Sequence, residues 1–375
     1  MFLPSGSKDM LGSRVSRQNQ VFETFRQVVT LRGYQEIATP VVEYASTFTN
    51  ENVGMPLQNM LKWFNSDGDI EVLRPDWTTA IARAIAKHSD KPQKWAYQGS
   101  IFRRNKLGVE GRQVGIEIIN YSNLLAESEC LFMARNFLNE MKISEYITEL
   151  AHTGIFEELS KQLNLSENDF EQLRLAMHDK RKDTVYQIAK NHGNHEIADE
   201  FVSLVDAYGN FESVIEMYEI CWKNNATLLN ILGEIKRLSL MLQSMGETDI
   251  IVDLGRVKNL PYYSGIMFRG FLKENGATCY SGGRYDKLYE QFEQSISAVG
   301  LAFDADQLAE QILVEKNREK ICVIATEEMY SIAEQLRERY KDSIVEVLDK
   351  ETNLDAFDKV LNIIGSNGDY EVIEK

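Results

Sequence analysis

The chain has 375 residues, 43% hydrophobic and 26% charged, with a formal net charge of −16. That length holds one large domain plus a small one, and the apolar fraction can fill a core. The acidic excess disfavours non-specific nucleic-acid binding, which depends on cationic contacts, without excluding a local basic patch. The four cysteines (Cys130, Cys221, Cys279 and Cys322) lie far apart, with no CxxC pair. They suit a reducing cytosol and argue against a disulfide framework or a zinc site. The N-terminus, MFLPSGSKDMLG, has no apolar signal core, and no stretch approaches about 18 uncharged apolar residues, so a cytoplasmic chain that does not span a membrane is expected.

Residues 14–32 are predicted to form an amphipathic helix. Val21, Phe22, Phe25, Val28, Val29 and Leu31 recur at helical spacing and Gly33 ends it. Tyr34–Thr39 reads as a strand stopped by Pro40, residues 69–74 as a strand and 77–88 as a helix. Strands are expected at 94–103 and 113–121. No proline occurs from 93 to 260, and most of 126–245 is rich in helix-favouring residues. That region is expected to be helical, with breaks near Gly154, Asn191–Asn194 and Tyr208–Asn210. Later strands are expected at 249–254, 264–272, 277–281 and 298–304. Short strands joined by turns point to an α+β fold with a mainly antiparallel sheet. A polar stretch, VEKNREK (314–320), then leads to ICVIAT as a strand, 327–339 as a helix, and IVEVLD and KVLNIIG as strands. These make a small α/β module. The expected division is 1–317 and 318–375, with a mostly helical insertion at about 155–245.

Four constellations could carry chemistry, and each has a plainer reading. In Leu73–Thr79 (LRPDWTT), Asp76 and Thr78 could accept hydrogen bonds from a ligand ammonium, or Asp76 could simply cap the next helix. In GRQVGIEII (111–119), Gln113, Gly115, Glu117 and Ile119 share one face of a strand. A Glu buried there should have a cationic or N–H-bearing partner; otherwise the face is solvated. In DLGRVKNLPYYSGIMF (253–268), Tyr262 and Tyr263 could form a pocket wall or pack in the core. GGRYD (282–286) could be a glycine turn feeding a helix or a tight turn with an Arg–Asp pair. The five histidines have no metal-ligand spacing, so no metal and no cofactor are expected.

In order, GSKD (6–9), GYQEIATPVVE (33–43), LRPDWTTAIARA (73–84), FRRN (102–105), GRQVGIEIIN (111–120), NLPYYSGIMF (259–268), GGRYD and AVGLAFDADQL (298–308) resemble the class II histidyl-tRNA synthetase family over roughly residues 1–315. The resemblance implies an antiparallel sheet of six or more strands flanked by helices, and dimerisation through the helix and strand ending at Pro40. It implies a histidine-binding set of Asp76, Thr78, Arg103, Gln113, Glu117, Lys258, Tyr262 and Tyr263. In that set Asp76 and Thr78 match the groups holding the α-amino end, Gln113 lies near the amino and carboxyl groups, and Glu117 and Tyr263 read the two imidazole nitrogens.

The family's adenylation machinery does not map. Its FRxE motif is Phe102-Arg103-Arg104-Asn105 here, which lacks the acid. Its RGLDYY motif has Lys258 for the arginine and Pro261 for the aspartate, and the arginine of its final motif is Gln307. Lysine cannot form the planar fork of arginine, and adenylation needs cationic clamps where charge accumulates on phosphate oxygens. Residues 318–375 cover about half of the family's anticodon-binding module, so no tRNA binding is expected. LRPDWT and Asp306 resemble the synthetase-like group of ATP phosphoribosyltransferase regulatory subunits. That likeness implies a chain with no catalytic residues of its own. It implies a short-form catalytic subunit as partner, a dimer within a hetero-octamer, and histidine as effector. A divergent histidyl-tRNA synthetase or other histidine-activating ligase is the alternative.

Overall fold

In the computed structural model, the residues described are 2–51, 53–88, 91–105, 108–121, 124–257, 261–312, 318–366 and 369–375. They form two compact units, residues 1–312 and 313–375. In the first, helix α1 (Ser13–Leu31) buries Val21, Phe25, Val28 and Val29, a stripe at helical spacing. Its last carbonyls are taken by the Arg32 and Gly33 amides, with Gly33 left-handed at φ 75°. The strand expected over Tyr34–Thr39 shrinks to β1 (Gln35–Glu36), which lies parallel to β5 below. Beyond it only the Ile37 amide still bonds the sheet, and the Thr39 carbonyl is taken instead by the Arg74 guanidinium at 2.8 Å. The chain then makes β2 (Val42–Tyr44), α2 (Ser46–Thr49), β3 (Lys62–Phe64) and β4 (Ile70–Leu73), a small antiparallel sheet in the order β2-β4-β3.

Helix α3 (Trp77–Ile85) precedes the long hairpin of β5 (Gln93–Asn105) and β6 (Gly108–Ile119). Then come α4 (Leu125–Glu140), β7 (Tyr146–His152), α5 (Thr153–Ser160), α6 (Glu167–His178), α7 (Lys182–His192), α8 (His195–Val205), β8 (Tyr208–Asn210), α9 (Phe211–Cys221) and α10 (Ala226–Ser244). The last elements of this unit are β9 (Ile250–Asp253), β10 (Ile266–Leu272), β11 (Thr278–Arg284), β12 (Ala298–Asp304) and α11 (Ala305–Gln311). The stretch expected to be helical thus contains β7, and the break expected near Gly154 is the junction between β7 and α5. β7 is held in register by β10 along its whole length, with Leu150 and Ala151 fully buried. Long-range pairing there overrides the helical preference of Glu, Leu and Ala.

The main sheet has the order β1-β5-β6-β12-β11-β10-β7-β9-β8. Pairing is antiparallel except at β1–β5 and β7–β9. Phe303 of β12 meets Phe25 and Phe137 edge-on, with ring centroids 6.5 and 4.8 Å away, so α1 and α4 are clamped on one face. The opposite face carries Gly300 and Glu117, with α3 packed near them.

The second unit has β13 (Lys320–Ile324), α12 (Tyr330–Arg339), β14 (Ile344–Leu348), β15 (Lys359–Ser366) and β16 (Asp369–Glu374), in the sheet order β14-β13-β15-β16. The antiparallel strand β16 adds to the three strands expected from sequence. The expected boundary near 317 falls outside the described residues.

Candidate functional site

Pro75 keeps the backbone extended before α3, and Asp76 enters as its N-cap at φ −155°, ψ 139°. Asp76 Oδ2 accepts from the Thr79 amide at 2.7 Å and from the Thr79 hydroxyl at 2.6 Å. Such a cap is worth about 1 kcal/mol. The other oxygen, Oδ1, lies 3.7 Å from Arg103 Nη2. Asp76 is therefore both a cap and one half of a polar pair. The adjacent Trp77, for which the sequence offers no reason, is buried between the Arg74 guanidinium, 3.5 Å from its ring centre, and the ring of Tyr97, stacked at 5.0 Å.

Glu117 is 0% exposed on β6. The solvated-face reading fails. Among the described residues its partners are hydroxyls. Thr78 Oγ1 donates to Oε1 at 2.7 Å and the Tyr285 hydroxyl donates to Oε2. Burial pushes the Glu117 carboxyl up to about 8, against the opposing pull of these two hydroxyls. A carboxyl that holds its proton needs no counter-ion, which is why an apolar strand can carry it. Gly300, directly across from Glu117 in the register, makes the room, since a Cβ there would collide with the carboxyl.

Tyr285 was not anticipated. Gly282, Gly283 and Arg284 lie inside β11 rather than in a turn, and a 3-10 segment, Asp286–Phe292, follows. The Arg284–Asp286 pair forms at 3.3 Å, and Arg284 Nε also bonds Glu127 at 2.7 Å. The Tyr285 amide bonds Ala298, two residues from Gly300, and this brings its hydroxyl to Glu117. Sequence carries no such register.

Gln113 shares a face with Glu117 but is kept from it by Tyr97, whose hydroxyl end fills the space over Gly115. Gln113 lines a different cavity, of about 630 Å³, with Arg103, Arg112, Asp304 and Asp306. Asp306 accepts from the Gln18 side chain at 2.6 Å and from the Arg112 amide at 3.0 Å. Burial pushes the Asp304 carboxyl up to about 6. Gln307 lines this cavity too, an uncharged residue beside Asp304 and Asp306 in a wall of mixed charge that also holds Lys8, Arg14 and Arg17. Tyr262 is buried edge-on to Tyr285, with ring centroids 6.1 Å apart. Lys258 lies outside the described residues.

Tyr263 lines a second cavity, of about 450 Å³, together with Arg103, Arg256, Met267 and Arg269. Arg256 and Arg269 converge on Glu149. Arg256 Nη1 is 3.1 Å from Glu149 Oε1, and Arg269 forks onto both oxygens at 2.6 and 3.1 Å. Arg269 and Glu149 face each other because β10 and β7 pair them. The sequence reading missed both arginines, and only the polar residue inside the apolar run IMFRGFL hinted at one. Of the eight residues expected to bind histidine, the structure brings Asp76, Thr78, Arg103, Glu117, Tyr262 and Tyr263 into one neighbourhood and leaves Gln113 apart.

Residues 6–308 match the family model described as histidyl-tRNA synthetase. Proteins from Bacillus cereus and Bacillus thuringiensis named ATP phosphoribosyltransferase regulatory subunit are each 29% identical over 350 residues, covering 90% of this chain and 82% of theirs. A crystal structure from Bacillus halodurans, described as an ATP phosphoribosyltransferase regulatory subunit/histidyl-tRNA synthetase, is 25% identical with a TM-score of 0.85. It covers 98% of this chain and 99% of its own. A histidyl-tRNA synthetase from Nostoc sp. PCC 7120 shares the fold at 16% identity and a TM-score of 0.79, covering 100% of this chain and 96% of its own. With its sheet order, its buried Glu117 and a family model matching most of its length, this chain belongs to the histidyl-tRNA synthetase family.

Proposed function

We propose that this chain is the non-catalytic regulatory subunit of a short-form ATP phosphoribosyltransferase. In this reading it activates a separate catalytic subunit at the first step of histidine biosynthesis and mediates feedback inhibition by histidine. It works as a dimer within a hetero-octamer, in the cytoplasm, and neither binds tRNA nor aminoacylates it. The observation that carries the reading is the contrast between the two cavities. The neighbourhood of Tyr263 keeps the groups that can hold an imidazole-bearing amino acid, whereas the cavity beside Gln307 is mixed in charge and has the uncharged Gln307 flanked by Asp304 and Asp306 where the family's arginine clamp would stand. The names of the Bacillus relatives support the same assignment.

Histidine acts here by binding one arrangement of the complex better than another, since only differential affinity shifts an equilibrium. Its imidazole reaches Glu117 by exchanging with the Thr78 hydroxyl, and Tyr263 faces the other ring nitrogen. The test is direct. The chain is mixed with a short-form catalytic subunit and phosphoribosyl transfer to ATP is measured. A rise in rate on addition, reversed by histidine, is expected; an unchanged rate eliminates the activator role. The three arginines lining the Tyr263 cavity favour a second reading, an active histidine-activating ligase. Histidine-dependent exchange of pyrophosphate into ATP separates the two.

A further inference from the structure

The cavity beside Tyr263 is at odds with the rest of the molecule. The chain carries a net charge of −16, yet among the described residues lining this cavity there are three arginines and no acid. The acids that hold these arginines stand behind the wall. Glu149 is buried beneath Arg256 and Arg269, and Asp76 is buried beside Arg103. One carboxylate between two guanidinium groups leaves one positive charge over. Asp253, next along, is already held by Lys180 at 3.0 Å. That excess charge, on Arg256 at 18% exposure and on the more open Arg269, favours an anion in the cavity.

The charged side chains at the cavity also fall into two groups by partner. The Tyr263 hydroxyl lies within electrostatic reach of Asp76 and Glu117 as well as of Arg256 and Arg103. Arg103 is bonded to the Pro75 carbonyl and stands beside Asp76, whereas Arg256 and Arg269 share Glu149. A ligand with a cationic and an anionic group matches that grouping, with Asp76 in one group and the surplus guanidinium charge in the other.

We propose that Arg256 and Arg269, oriented by Glu149, form the carboxylate-reading end of the site and select an amino acid with a free α-carboxylate. This rests on the reading that histidine binds in this cavity. Arg269 already adopts a forked pairing with one carboxylate, and a planar guanidinium presents further donors on its cavity side. Glu149 is a positioning residue, fixing both planes so that the ligand does not have to order them. Met267 forms part of the wall beside Tyr263, an apolar surface for the body of the ligand.

The experiment is calorimetric binding of L-histidine and of L-histidinol, which has a hydroxymethyl group in place of the carboxylate, to the full chain and to Arg269→Gln and Glu117→Ala. Arg269→Gln is expected to weaken histidine roughly ten- to a hundredfold, the span of one charged hydrogen bond, and to leave histidinol unchanged. Arg269→Lys keeps the charge that Glu149 requires but loses the fork, and it carries the same comparison if the glutamine variant folds poorly. Equal weakening of both ligands, or of neither, overturns the proposal. If histidine binding responds to Glu117→Ala alone, the site reading survives and the carboxylate assignment fails. If it responds to neither substitution, both fail.

Discussion

The two ends of the candidate site hold their acids in opposite ways. Glu117 sits in the sheet with only hydroxyls around it, from Thr78 and Tyr285. Glu149 sits on the same sheet between two guanidinium groups. Burial among hydroxyls raises the Glu117 carboxyl, whereas Glu149 is ion-paired to two arginines, although both side chains are buried. The difference shows that burial alone does not set the chemistry of an acid in this fold. Strand register decides it, by choosing which residue stands across from it: Gly300 in one case, Arg269 in the other.

The contrast can be broken most forcefully at Glu149. Glu149→Ala strands two arginines side by side, and removing one partner of a buried ion pair costs about 3–5 kcal/mol. The value should fall near the low end, because Arg269 is about a third open to solvent. Urea unfolding measures it, and a loss below about 1 kcal/mol would mean that water, not Glu149, satisfies the arginines. Next in size is Gly300→Ala, which drives a methyl group into the Glu117 carboxyl. Overpacking of this kind costs about 1–3 kcal/mol, read as a lowered melting temperature. Tyr285→Phe removes one hydroxyl from Glu117 and should cost about 1 kcal/mol by the same measurement.

The pH dependence is the effect most specific to the Glu117 end. Its carboxyl lies near 8 in the folded chain against an ordinary value of 4.5. Between those values the folded chain keeps a proton that the unfolded chain has released. The stability this group contributes is therefore full below about 4.5 and drains away as pH rises toward 8. Glu117→Gln cannot ionise, so its melting temperature should gain on the parent as pH goes from 5 to 8. A constant gap across that range would mean that Glu117 is ionised throughout.

Much of the frame is legible in the sequence. The alternation in 111–119, the apolar runs at 264–272 and 298–304 and the stripe of α1 are local signals, and the strands and helix lie there. The misses share a cause. Residues 146–152 open with the β-favouring Tyr146, Ile147 and Thr148 but continue into helix formers, and pairing with β10 and β9 decides them as β7. Tyr285 reaches Glu117, and Arg269 reaches Glu149, across 168 and 120 residues of chain. Trp77 has meaning only once Arg74 and Tyr97 flank it. Motif order identifies the family, but partners across a sheet are set by register, which a single sequence does not display.

The claim on which the account turns is that this chain grips histidine without activating it. Histidine-dependent exchange of labelled pyrophosphate into ATP, with the purified chain and magnesium, tests that directly. The account predicts no exchange above background while histidine still binds by calorimetry. Exchange at an enzymatic rate would contradict it and make the arginine-lined cavity the working half of a ligase.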